Sequence, residues 1–288
     1  MKRVVVGVED MPHSEAPVAW AARAAEQRGA VLRLVHAVGH PIMAVDVLWD
    51  QGVQAAGQQL LDHAVAHARE AVPGIRVETV VDPRRPAEAL ADLAEDAELL
   101  VVGTHRLSAG ERVFSGSLAY QIAAAAPHPV AVVPGAVAPD AAGVVVGVDG
   151  SADSLEAVAI AAAEADRSGQ SLDVVHAWLE PSVYTAGDAV IAEHTAGIRE
   201  EEEVALAESA AGLAEQYPDL VVHTRLVHDQ PATALLDAAE HARLLVVGSR
   251  GRHGLTRVLL GSVSHTVVLH AACPVLVART HHVAARHG

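Results

Sequence analysis

The residues best placed for chemistry lie late in the chain, where Gly248-Ser249-Arg250-Gly251-Arg252-His253 runs on to Gly261-Ser262-Val263-Ser264. Written as spacing this is Gly-x2-Gly-x9-Gly-Ser, with Gly248, Gly251 and Gly261 as its fixed points. Glycines let a backbone turn against a ligand with no Cβ in the way. A helix opening at Gly261-Ser262 turns its first N–H groups, which lack intrahelical partners, toward an anion. The charges agree with this. From Gly143 onward the chain carries nine Arg against nineteen Asp and Glu, yet Arg250, Arg252 and Arg257 all fall in this one segment. The combination describes a phosphate site built without lysine, because Lys2 is the only lysine present. The plainer alternative is a glycine-rich surface loop with solvated arginines.

The elements that must position these residues are repeated. Val4–Asp10 (VVVGVED) returns as Val144–Gly150 (VVVGVDG) at an offset of 140. The run ending at Gly103 returns as the run ending at Gly248, and Pro129-Val130 as Pro274-Val275, both at an offset of 145. The five extra residues lie between Ala177 and Val222. The Ala/Pro/Gly stretch Pro134 to Gly143 is the natural linker, dividing the chain into domains 1–138 and 143–288.

In each half, short β-branched runs alternate with longer Ala-rich stretches, the pattern of βαβ units in an α/β fold with a parallel sheet covered on both faces. Strands are expected at Arg3–Val8, Leu32–Val38, Arg76–Val81, Leu99–Gly103 and Val130–Val133. Their counterparts are Val144–Val148, Leu172–His176, Val221–Val227, Leu244–Gly248 and Val275–Ala278. Ser14 and Ser154 are expected to cap the first helix of each half, with Gly29 and Gly169 as its stops. Ligands of such doubly wound sheets collect at the carboxyl ends of the strands around the switch point, which selects the loops after strands one and four.

Composition narrows the function. The net charge of -16 repels phosphate backbones, and seven scattered aromatics (Trp20, Trp49, Trp178, Tyr120, Tyr184, Tyr217, Phe114) build no base-stacking platform, so nucleic acid is not an expected partner. A single lysine at position 2 excludes P-loop and Schiff-base chemistry inside the fold. A single cysteine, Cys273, allows no internal disulfide and no CxxC metal pair. No run reaches the roughly 18–20 apolar residues of a membrane span, and MKRVVVGVED is too short an apolar start for a signal peptide. The reading is a cytoplasmic protein.

The Gly-x2-Gly-x9-Gly-Ser motif, together with Val-Gly-Val148-Asp149-Gly-Ser151 at the end of the first strand, resembles the universal stress protein family in its tandem two-domain form, over nearly the whole chain. The resemblance implies a five-stranded parallel sheet in the order 3-2-1-4-5 in each domain. It also implies ATP between the ends of strands one and four, with ADP or AMP as alternatives and Mg as an accompanying ion. By position, Val148 and Asp149 would meet the ribose or adenine side and the backbone around Ala177 the adenine. Gly248, Gly251, Gly261, Ser262 and Ser264 would hold the phosphates, and Arg250, Arg252, His253 and Val263 complete the nucleotide-binding set. The counterpart positions in the first copy are Val8, Glu9, Ala37, Gly103, Arg106, Gly116, Ser117 and Leu118. There the motif departs from the pattern: Glu9-Asp10-Met11-Pro12 replaces Asp149-Gly150-Ser151-Ala152, and Arg106 stands where the middle glycine belongs. The Arg106 side chain either blocks that pocket or pairs with phosphate from inside it.

Other features carry plainer readings. His63 and His67 are four apart on the second helix without a partnering carboxylate pattern, so no metal site is expected. Glu200–Glu203 read as a solvated helix face near an N-terminus. Segments 41–52 and 181–197 read as long, partly apolar loops serving as a lid or interface. The fifth strands would be sheet edges that, in the family, the partner domain covers, making an internal pseudo-dimer, with a homodimer as a further reading. The expected function is a nucleotide-dependent stress or dormancy regulator with an unidentified protein partner and no required turnover or catalytic residue. Slow ATP hydrolysis and a nucleotide-free scaffold are the alternatives.

Overall fold

Runs such as Val4-Val5-Val6 and Leu244-Leu245-Val246-Val247 are apolar at every position rather than alternately, and in the computed structural model they form strands buried on both faces. The structure describes residues 1–11, 13–39, 47–104, 118–135, 138–179, 188–251 and 260–279, with backbone alone for 47–50 and 188–196. The chain divides into two compact units, Met1–Val137 and Ala138–Thr280.

The first unit runs β1 (Arg3–Gly7), α1 (Glu15–Gln27), β2 (Val31–Ala37), α2 (Val47–Ala71), β3 (Val77–Asp82), α3 (Pro86–Leu93), β4 (Leu99–Thr104), α4 (Leu118–Ala125) and β5 (Val130–Pro134). Its sheet has the order β3-β2-β1-β4-β5, with every pair parallel. The second unit runs β6 (Val144–Val148), α5 (Ala152–Ser168), β7 (Leu172–Trp178), α6 (Asp188–Ser209), the short α7 (Leu213–Gln216), β8 (Val222–His228), α8 (Pro231–Ala238), β9 (Leu244–Gly248), α9 (Ser262–His270) and β10 (Val275–Ala278). Its order is β8-β7-β6-β9-β10, again parallel throughout. The expected α/β class and tandem organisation are what the structure has.

Alanine sets how closely the first helix of each unit approaches its sheet. Ala21, Ala22 and Ala25 of α1 and Ala157, Ala161 and Ala165 of α5 are fully buried, and their small side chains bring each helix axis near the strands. Because β1 lies between β2 and β4, and β6 between β7 and β9, the direction in which successive strands are added to the sheet reverses there and a crevice opens at the carboxyl ends of the central strands. Among the described residues, no helix is long and apolar enough to cross a membrane.

Three local expectations need correction. The N-cap of α5 is Ser151, whose Oγ accepts from Ser154 N at 3.2 Å, so Ser154 is an interior residue of the first turn. Ser14 is the N-cap residue of α1 but makes no side-chain cap bond; its hydroxyl accepts from Glu9 N at 3.1 Å instead. Residues 47–52 and 188–197, read as loop, are the first turns of α2 and α6; the rest of those two segments, 41–46 and 181–187, lies outside the described residues. Gly169 does close α5, at φ 62° in the left-handed region where a Cβ is costly, and Gly29 follows the C-cap of α1 at φ 60°.

Candidate functional site

At the carboxyl end of the second sheet, several segments enclose a cavity of about 450 Å³. This is a volume suited to a small organic ligand. β6 contributes Val148 and Asp149, β7 contributes His176, Ala177 and Trp178, and α8 contributes Pro231 and Leu235. The turn after β9 brings Gly248, Arg250 and Gly251, and the start of α9 brings Gly261, Ser262, Val263 and Ser264. Residues far apart in sequence and singled out by spacing alone thus share one wall. Arg252 and His253 lie outside the described residues.

The glycines at this wall are places where backbone meets something else. A Cβ on Gly248 would stand 2.9 Å from the carbonyl carbon and oxygen of Asp153, closer than real Cβ atoms come, so the end of β9 lies against the first turn of α5. A Cβ on Gly251 would stand 2.6 Å from Asp149 Oδ2, so the Asp149 carboxylate is seated on the Gly251 backbone. The other oxygen, Oδ1, accepts from Ser151 N at 3.0 Å, which fixes the carboxylate at the cavity mouth.

The start of α9 is held at both ends of its first turn. Gly261 N donates to Ser249 O at 2.9 Å, and Ser264 Oγ donates to Gly248 O at 2.6 Å from a buried position. The first intrahelical bond is made by His265 N to Gly261 O at 2.8 Å. The N–H groups of Ser262, Val263 and Ser264 precede it and lie in the cavity wall, where the positive end of the helix favours an anion.

Positive charge gathers around the same turn. Arg250 Nε lies 3.3 Å from Asp153 Oδ2, which also accepts from Ser249 Oγ at 2.7 Å. Arg279, directly after β10, is buried at 8% exposure. Its guanidinium is held below the usual arginine range first by that burial and then by the neighbouring Arg250 charge, with Asp153 opposing. Asp153 thus pairs with Arg250 and acts by its charge on the buried Arg279.

The sequence did not single out His176, Glu202, Asp153 or Arg279. His176 is buried, its Nδ1 donates to Val148 O at 2.7 Å, and its Nε2 lies 2.5 Å from Glu202 Oε2. Glu202 sits in the middle of α6 rather than near its start, and its side chain is 21% exposed. It is therefore not part of a solvated face.

The first unit holds a corresponding cavity of about 420 Å³, lined by Val8, Glu9, His13, His36, Ala37, Pro86, Leu90, Gly103, Thr104 and Leu118, among others. His36 Nδ1 donates to Val8 O at 2.8 Å, as its counterpart does. A Cβ on Gly103 would stand 2.9 Å from Pro17 Cγ. Arg106, Gly116 and Ser117 lie outside the described residues.

Two stretches of the chain, residues 1–134 and 143–279, each match the model of the universal stress protein family. The chain belongs to that family. A universal stress protein of Mycobacterium tuberculosis is 38% identical to it, with 96% of each chain covered. One of Mycolicibacterium smegmatis is 36% identical, again with 96% of each covered. Among solved structures, a universal stress protein from Archaeoglobus fulgidus superposes with a TM-score of 0.68 over 96% of each chain at 19% identity, a likeness of fold. The tandem form inferred from the repeat is therefore that of the family, and the two cavities occupy corresponding places in its two copies.

Proposed function

We propose that the second unit is a receptor for an adenine nucleotide, ATP first and ADP or AMP as alternatives, and that occupancy sets the surface this universal stress protein presents to a regulatory partner. The observation that carries the reading is the cradle at the β9–α9 turn. Gly248, Gly251 and Gly261 leave room for no side chain or need none, the first N–H groups of α9 line the same wall, and Arg250 stands beside them. That set of donors matches a polyphosphate. Asp149, fixed at the mouth, is placed to accept from ribose hydroxyls, and the apolar Val148, Ala177, Pro231 and Leu235 form a slot for a flat base.

Phosphate binding here is electrostatic and by backbone, and the reading requires no turnover. A ligand touching β6, β7, the β9 turn and α9 at once adds links between these segments to those the folded chain already has. Binding therefore stabilises the unit, by about 2.7 kcal/mol at a hundred times Kd.

The test is calorimetric titration of ATP into the full chain and into Gly261→Asp. A Cβ at Gly261 meets nothing closer than 3.4 Å, so the protein tolerates a side chain there, while the new carboxylate faces the phosphates. Binding to the second unit should weaken by about 100-fold or more, since like charges brought together in an interface cost several kcal/mol. Unchanged ATP affinity and stoichiometry in Gly261→Asp would place the nucleotide elsewhere.

A further inference from the structure

Resting on that reading, one carboxylate in the second cavity has no part in binding phosphate or ribose. Glu202 of α6 lines the cavity together with Ala177, at the end away from the α9 turn. Its Oε2 lies 2.5 Å from His176 Nε2, and His176 Nδ1 lies 2.7 Å from Val148 O. A carbonyl oxygen only accepts, so Nδ1 carries a proton and donates. The 2.5 Å contact then places a second proton between Nε2 and Oε2, because two bare lone pairs would repel at that distance. Whichever atom holds that proton, Oε1 remains an acceptor and not a donor.

The first unit has the histidine without the acid. Position 202 corresponds, 145 residues earlier, to Gly57 of α2. A Cβ on Gly57 would stand 3.1 Å from His36 Cδ2 and 3.0 Å from Val81 Cγ1, so bare helix backbone packs where Glu202 reaches in the second unit. The flanking positions confirm the register: Leu61 and Leu206, also 145 apart, are both buried. A histidine bonded to the end of the central strand is common to both copies, and the carboxylate is particular to one.

We propose that Glu202, oriented by His176, selects the base in the second unit. Its free oxygen accepts from the amino group of a 6-aminopurine and repels the oxygen of a 6-oxopurine in the same place. A site built around an acceptor rejects the analogue that offers it no proton, because the buried oxygen is then left unpaired or opposed. Among the described residues of the first unit, Gly57 stands in place of the acid, so His36 has no such carboxylate beside it from α2.

The experiment measures Kd for ATP, for inosine triphosphate and for purine riboside triphosphate, which lacks any 6-substituent, on the full chain and on Glu202→Met, which keeps the side-chain length and removes the acceptor. Glu202→Ala is carried in parallel in case the methionine variant does not fold, and Gly261→Asp reports any first-unit contribution to be subtracted. The wild-type chain should favour ATP over inosine triphosphate by about 30-fold or more, with the purine riboside between them. The ATP-to-inosine ratio should fall at least about tenfold in Glu202→Met or Glu202→Ala, the loss falling on ATP rather than on the analogue. Equal wild-type affinities, or a preference for ATP that neither variant changes, would overturn the role of Glu202 while leaving the nucleotide site standing. Failure of the wild-type chain to bind any of the three would overturn both.

Discussion

Glu202 and Cys273 show how far residue type alone misleads. An acid in the run Glu200–Glu203 has every sequence mark of a solvated helix face, and Glu203 does pair at the surface with Arg199 at 2.9 Å. The phase of α6 decides otherwise for Glu202, which turns inward to a buried histidine. No local pattern announces that pairing, because its partner is 26 positions away on β7. Arg279 escaped notice for a similar reason: it directly follows a predicted strand, and only the fold places it beside Arg250 and Asp153. Cys273 is a structural thiol at 4% exposure, pushed by burial up to about 11. Iodoacetamide at pH 8 should leave the native protein unlabelled over times in which the urea-unfolded chain reacts fully, because the thiolate is the reactive form. Labelling of native protein at the rate of an exposed thiol would contradict this burial.

At the scale of elements, the strands were legible because valine and leucine runs of four to seven residues have few other uses. Element boundaries depend instead on turns and caps, and it is there that Ser151 displaced Ser154 and that α2 and α6 began earlier than expected. Both helices open in segments mixing Val, Leu and Ala with polar residues, which carries no clear period. The contact of β9 with α5 yields a stability prediction. Gly248→Ala drives a Cβ into the Asp153 backbone, which has no rotamer to change, and should cost about 1–3 kcal/mol, read as a lower urea midpoint. An unchanged midpoint would mean that the two segments are farther apart than described.

The β3–α3 connection gives a pH dependence. Asp82 accepts from Arg84 N at 2.9 Å, from Nε at 3.0 Å and from a terminal nitrogen at 2.8 Å, and Arg84 also pairs with Asp92. The Arg84 side-chain bonds hold the Asp82 carboxyl below its ordinary value of 3.8, against the opposing effect of burial. A depressed folded pKa contributes stability that is present above the unfolded value and lost as pH falls through the folded one. The stability gap between wild type and Arg84→Met should therefore be constant from pH 7 to about 5 and close below the ordinary carboxylate pKa. A gap that persists unchanged at pH 2 would mean that Arg84 acts by packing alone.

At the scale of the whole molecule, two copies of one fold have kept their sheets and changed their cavity walls. The family and the tandem arrangement were legible from the repeat and from Gly248, Gly251 and Gly261, because a backbone that other groups approach closely leaves its mark as glycine. The difference between the cavities was only partly legible. Glu9 for Asp149 can be read from sequence, whereas Gly57 for Glu202 emerges only once α2 and α6 are placed against their histidines. Ligand linkage follows from this division. Saturating ATP should raise the melting temperature of the wild-type chain by several °C, as about 2.7 kcal/mol implies, and leave Gly261→Asp nearly unmoved. The central claim is most directly tested by a crystal structure of the chain grown with ATP. The account predicts nucleotide in the second unit, its phosphates within hydrogen-bond distance of the Ser262, Val263 and Ser264 N–H groups and its 6-amino group facing Glu202. ATP bound away from the β9–α9 turn, or a second cavity left without nucleotide at saturating ATP, would contradict it.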